Sequence, residues 1–158
     1  LGPYAPLMKF LRTADITGPP IFTGNALADS SLIRNLDSRI IERLRVLTSF
    51  PMLLETDHPG IRLHQALLRE YAPDMRGSRW TVYGHAVAEL MAEVLNRSGR
   101  ELTREVAIRS AENLKTWNGK LMPPVHLNPS QHLSMTFLKV SRIMPTQVQH
   151  LSDWIDGR

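Results

Sequence analysis

Ile21-Phe22-Thr23-Gly24-Asn25-Ala26 and, past a helical stretch, Leu44-Arg45-Val46-Leu47-Thr48 are the segments that decide the fold class. Each holds a short apolar run bounded by turn residues, the pattern of a strand buried in a sheet. Ahead of them, Pro6 suits the first turn of a helix, and Leu7, Phe10, Leu11 and Ala14 follow at helical spacing until Gly18-Pro19-Pro20. Between the strands, Gly24-Asn25-Ala26 turns the chain and Asp29 suits the cap of a helix carrying Leu32, Ile33 and Leu36. Helix, strand, helix, strand is the order that builds a parallel sheet with flanking helices, so α/β is the expected class.

Downstream the helices multiply. Phe50 to Thr56 reads as a connector, and Asp57 with Pro59 announces a helix with Ile61, His64, Leu67, Leu68 and Tyr71 on one side. The strongest helical pattern covers 79–96, with Tyr83, Val87, Leu90, Met91, Val94 and Leu95 as its apolar stripe. Gly99 closes it, and Thr103 caps a further helix with Ala107, Ile108, Ala111 and Leu114 inward. Val125-His126-Leu127 reads as a short strand and Asn128-Pro129-Ser130 as a turn. Leu133 to Ile143 is β-rich, and Met144-Pro145-Thr146 joins it to a return strand, Gln147 to Leu151, in a hairpin.

Composition narrows the function classes. A chain of 158 residues has the length of one domain and can bury roughly 68–70% of its unfolded surface. The absence of cysteine excludes disulfides, thiolate metal sites and cysteine nucleophiles. The 19 Lys and Arg against 15 Asp and Glu are interleaved, as at Arg34, Asp37, Arg39, Glu42 and Arg43. That describes a solvated mixed-charge face rather than the basic stripe of a nucleic-acid binder. No Gly-x-Ser-x-Gly elbow, phosphate-cradling loop or dinucleotide fingerprint occurs, so neither an enzyme nor a cofactor is expected. His58 and His64 are six apart, as are His126 and His132, and neither gap is the i, i+4 pairing of a helical zinc site.

Several short motifs carry a resemblance. Gly2-Pro-Tyr-Ala-Pro before an apolar helix, then Phe22-Thr-Gly-Asn, resembles the second lobe of type I periplasmic solute-binding proteins, and most nearly their branched-chain amino acid (Leu/Ile/Val) receptor group. Asp57-His-Pro-Gly, Tyr83-Gly-His-Ala-Val-Ala-Glu-Leu, Gly99-Arg-Glu-Leu-Thr-Arg-Glu, Leu127-Asn-Pro-Ser-Gln-His and Leu151-Ser-Asp-Trp-Ile are similar to that group's later segments, in order.

The resemblance implies a partial three-layer αβα fold with parallel sheets: part of lobe two over 1–50, a hinge connector over 51–57, and the carboxyl-terminal part of lobe one over 58–158. It implies a periplasmic or otherwise extracytoplasmic receptor that passes a small amino acid-like, carboxylate or amide ligand to the permease of an ABC importer. The alternative is a ligand sensor on the same fold, unconnected with transport. An amino-terminal lobe, or another chain, would cover the exposed sheet edges.

Ligands in open α/β sheets bind beyond the carboxyl ends of the strands, which points to Tyr4, Gly24, Asn25 and Ala26. Tyr4 matches a position where the family lays an aromatic over the ligand. Asn25 and Ala26 stand near where its amino acid receptors place an acid for the ligand's ammonium. Asn25 both donates and accepts, which suits an amide, a keto acid or an aromatic acid. Ser49, Phe50, Pro51 and Met52 are the expected hinge.

Overall fold

A computed structural model describes residues 6, 9, 18–24, 36–133, 136–144 and 146–157. The chain divides into two compact units, the first comprising Leu1–Thr48 and Lys139–Asp153 and the second Ser49–Leu138 and Trp154–Arg158. Lys139–Asp153, grouped with 58–158 on sequence grounds, thus returns to the first unit. The expected capping helix at Asp29 lies outside the described residues.

In the first unit, β1 (Ile21–Thr23) and β2 (Leu44–Thr48) run parallel, with Ile21 opposite Leu44 and Thr23 opposite Val46. Both strands have the bounds read from the sequence. A short helix, α1 (Ser38–Arg43), leads directly into β2. Asp37 caps it by accepting from the Arg39 backbone N–H at 2.9 Å, and the Arg39 guanidinium at 3.1 Å holds the Asp37 carboxyl below its ordinary pKa. Arg43, at the other end of α1, donates from Nη2 to Pro19 O at 2.5 Å and ties the helix to the approach of β1.

The rest of this sheet is antiparallel. β3 (Phe137–Ile143) pairs with β2, Val46 opposite Ser141 and Thr48 opposite Lys139, and then with β4 (Val148–His150) through the expected hairpin. The strand order is β1-β2-β3-β4, so the parallel sheet expected from the alternation is parallel only between β1 and β2. Leu36, Ile40, Ile41, Leu44, Val46 and Ile143 are buried, each fully buried aliphatic side chain contributing about 1.5–3 kcal/mol. Phe22, expected in a buried strand, is exposed, while Ile21 and Thr23, which point to the opposite face, are half-buried.

The second unit is helical: α2 (Pro59–Tyr71), α3 (Arg79–Ser98) and α4 (Arg104–Glu112). The cap of α2 is His58, whose Nδ1 accepts from Gly60 N at 3.2 Å, not the Asp57 that the sequence suggests. Pro59 behind it needs no N–H partner in the first turn. Ser78 and Thr81 form a reciprocal capping box on α3, which Gly99 ends at φ +71°. Thr103 caps α4 as expected.

Phe50, Ile61, Val82, Ala86, Leu121, Met122 and Val125 make this unit's core. Two contacts fix the loop that supplies Leu121, Met122 and Val125. Glu89 Oε2 on α3 accepts from Lys120 N at 3.1 Å and Leu121 N at 3.2 Å. The Lys120 carbonyl in turn lies against Gly60 at the start of α2, where a Cβ would also meet Leu121 Cδ2 at 2.7 Å. The strand expected at Val125–Leu127 is only an isolated bridge between Trp117 and Val125. Asn128 Oδ1 accepts from Ser130 N at 3.0 Å and makes the expected turn. Among the described residues strand pairing in this unit is slight, Phe137 and Leu138 at the start of β3 lying opposite Asp156 and Ile155 of β5 (Ile155–Asp156).

Candidate ligand-binding site

Gly24 directly follows β1, and the register that sets Thr23 opposite Val46 brings Gly24 level with Leu47, one residue before the end of β2. Because β1 and β2 are parallel, their carboxyl ends share one edge of the first unit. Gly24 is exposed there, and a Cβ built on it would meet nothing within 4 Å among the described residues. The Thr23 hydroxyl lies 3.5 Å from the Gly24 carbonyl. Thr48 ends the neighbouring strand and is buried despite its hydroxyl. Of the four residues expected to touch ligand, the structure describes Gly24; Tyr4, Asn25 and Ala26 lie outside the described residues.

The chain leaves the first unit between Thr48 and Ser49, at the head of the expected hinge. Phe50 and Met52 are anchored in the second unit. The Phe50 ring meets Tyr83 edge-on, with centroids 5.4 Å apart and planes at 82°. Met52 donates its N–H to Glu55 Oε2 at 2.6 Å, and its carbonyl accepts from Glu55 N at 2.9 Å.

A polar centre that the sequence reading missed sits where α2 meets α3. His64, taken as one member of an apolar stripe, is buried at 3% exposure. Thr81 Oγ1 accepts from Ser78 N at 2.9 Å and lies 2.8 Å from Ser78 O and 2.9 Å from His64 Nε2. His64 Nδ1 faces His85 Nδ1 at 3.2 Å, one of the two nitrogens donating to the other. Burial, and then the charge of His85, hold the His64 pKa below its ordinary value. The signal in the sequence is Ser78-x-x-Thr81 with His85 one turn on.

A measurable pH dependence follows. A histidine whose folded-state pKa is depressed takes up its proton more readily in the unfolded chain. Its contribution to stability is complete above the ordinary histidine range near pH ~6.5 and falls as pH drops through it. Denaturant titrations at pH 8 and pH 5.5 should give a smaller difference in unfolding free energy for His64→Gln than for the unsubstituted protein. Equal differences would show that His64 does not titrate as described.

His126 donates from Nδ1 to Lys115 O at 2.6 Å, and His132 Nε2 pairs with Glu112 Oε1 at 3.1 Å. Among the described residues no three His, Asp or Glu side chains gather as metal ligands, and no helix is long and apolar enough to cross a membrane.

No protein-family model matches the chain, and no curated protein matches it in sequence. Solved structures do. A possible leucine/isoleucine/valine-binding protein from Rhodopirellula baltica SH 1 superposes with a TM-score of 0.75 at 20% identity, covering 94% of this chain and 40% of its own. A branched chain amino acid ABC transporter protein from Thermus thermophilus, solved with bound valine, gives 0.69 at 17% identity over 87% of this chain and 39% of its own. A fatty acid ABC transporter substrate-binding protein from Thermomonospora curvata gives 0.64 at 17%, over 87% and 36%. The likeness is one of fold. The chain spans less than half the length of these structures.

Proposed function

We propose that this chain is part of an extracytoplasmic solute-binding receptor that passes a small amino acid-like, carboxylate or amide ligand to an ABC importer, without catalysing a reaction. The observation that carries this reading is the superposition of 94% of the chain on a protein described as leucine/isoleucine/valine-binding, supported by similar likenesses to other transporter binding proteins. In this reading Tyr4, Gly24, Asn25 and Ala26 contact the ligand at the carboxyl ends of the parallel strands, and Ser49 to Met52 carry the hinge.

The residue types bear on the ligand. A hydrogen bond to a charged partner contributes about 1.5–3 kcal/mol, and Asn25 with Ala26 offers no carboxylate to an ammonium. The amide of Asn25 serves a carboxylate or amide group instead. One of the solved likenesses is described as a fatty acid ABC transporter substrate-binding protein, and a fatty acid carries a carboxylate and no ammonium.

Thermal denaturation of the full-length gene product against amino acids, keto acids, aliphatic carboxylates and amides tests the proposal. Saturation at about a hundred times Kd should add about 2.7 kcal/mol and raise the melting temperature. Tyr4→Ala and Asn25→Ala should each weaken that rise. Stabilisation by none of these compounds would overturn it.

A further inference from the structure

A cavity of about 320 Å³ opens beside the last turns of α2, wholly within the second unit. Its apolar walls are Leu53 from the connector, Leu68 from α2, and Pro73, Met75 and Gly77 from the loop that leads to α3. Leu53 packs against the unit's core, which anchors the floor. A Cβ built on Gly77 would lie 3.5 Å from a methyl of Leu53 and 3.5 Å from one of Leu68, so only the missing side chain keeps this end clear. Met75, 54% exposed, stands at the rim with an unbranched side chain able to fold over a bound tail.

The walls are tied before any ligand arrives, as in most small-molecule sites. Ala72 donates its N–H to Leu68 O at 2.9 Å, and Met75 donates to Ala72 O at 2.9 Å. At the far end of the loop, Ser78 donates its N–H to Thr81 Oγ1 at 2.9 Å.

Two polar side chains complete the lining. Gln65 and Arg69 are four residues apart on α2 and therefore share the face that borders the cavity. Among the described residues neither side chain has a hydrogen-bond or ion-pair partner, although Glu70 and Asp74 are near in sequence. Arg69 is thus an uncompensated cation beside leucine, proline and methionine. Its planar fork suits a carboxylate, which it can meet with two parallel N–H bonds, and the Gln65 amide offers a further donor. An ammonium would be repelled, and a bare inorganic anion would leave the apolar walls uncovered. At about 30 Å³ for each water, the space holds about ten non-hydrogen atoms.

We propose that this cavity binds an aliphatic monocarboxylate about the size of octanoate, its tail among Leu53, Leu68 and Met75 and its carboxylate on Arg69 and Gln65. The site is additional to the ligand contacts proposed at the β1–β2 edge, because Gly24 belongs to the first unit. It stands whether or not that reading holds.

Octanoate, octanol and octylamine titrated separately into the isotope-labelled chain, followed by amide NMR, provide the test. Octanoate should saturate one site and shift the amides of Leu53, Leu68, Met75 and Gly77, with octanol weaker and octylamine weakest. Arg69→Gln should weaken octanoate by about tenfold and leave octanol unchanged. Arg69 is exposed and unpaired among the described residues, so that variant keeps the fold. Gly77→Leu should abolish binding of both by filling the cavity, and the φ of Gly77 is not positive, so a side chain is tolerated there. If Gly77→Leu lowers the melting temperature, the Arg69→Gln titrations decide alone. Failure of octanoate to saturate would overturn the proposal, as would octylamine binding as tightly. So would octanoate binding that survives Gly77→Leu, or that Asn25→Ala removes and Arg69→Gln does not.

Discussion

Truncating Ile61 to Ala should lower the unfolding free energy of the helical unit by about 2–5 kcal/mol, the range for emptying a fully buried aliphatic site. Ile61 lies on the first turn of α2 with no exposure, among Phe50, Val82, Leu121 and Val125. Those neighbours come from three separate segments, so collapse into the vacated space would need concerted shifts of a connector, α3 and a loop. Ile61→Val removes a single methylene and should cost only about 0.5–1.5 kcal/mol. Urea titration followed by tryptophan fluorescence reads this unit alone, since Trp80, Trp117 and Trp154 all belong to it. Equal midpoints for the two variants would mean that the cluster is not the cooperative core.

The neighbouring glycine gives the second large effect. A methyl at Gly60 would overlap the Lys120 carbonyl and come within 2.7 Å of Leu121 Cδ2. The leucine side chain can rotate away. The carbonyl cannot, because Glu89 holds the amides of Lys120 and Leu121 on either side of the contact. Gly60→Ala should therefore destabilise by about 1–3 kcal/mol, the ordinary cost of overpacking. That outweighs the 0.5–1 kcal/mol or so that replacing glycine normally contributes to a helix. Gly84→Ala is the control. Gly84 is exposed in the middle of α3 with nothing within 4 Å of an added Cβ, so the same change should stabilise by about 0.5–1 kcal/mol. Melting temperatures that move in the same direction for both would refute the contact at Lys120.

Elements set by local chemistry were legible in the chain. Ile21–Thr23 and Leu44–Thr48 are strands with the bounds their turn residues suggest, and Thr103 and Gly99 cap the helices they were expected to cap. Relations between distant segments were not. Nothing local to Val46 states that Ser141 lies opposite it, or that the pairing is antiparallel, because register is chosen by the whole sheet. The face of α3 was only partly placed for a related reason. Its periodicity names Val94, which is buried, and Leu90, which packs on the core, together with Tyr83, Val87, Met91 and Leu95, which are exposed, and it leaves out the buried Val82 and Ala86, because a repeat cannot tell which apolar positions are covered. His64 was hidden because its partners, Thr81 and His85, stand 17 and 21 residues away on another helix. Of the candidate ligand contacts, the strand-end position of Gly24 was legible from the alternation alone.

The route of the chain has a consequence for dissecting the protein. Leu1–Thr48 and Lys139–Asp153 make one unit, while Ser49–Leu138 needs Trp154–Arg158 to complete the other. Strand β3 itself begins in the second unit and ends in the first. Neither unit is therefore a continuous stretch of the gene, and no stop codon or shifted start isolates one intact. A cut after Leu138 removes β3's partnership with β2 along with the hairpin, and a start at Ser49 keeps that hairpin without the strand it pairs with. To obtain either unit alone, the chain has to be reconnected: Thr48 joined to Lys139 for the first, or Leu138 to Trp154 for the second.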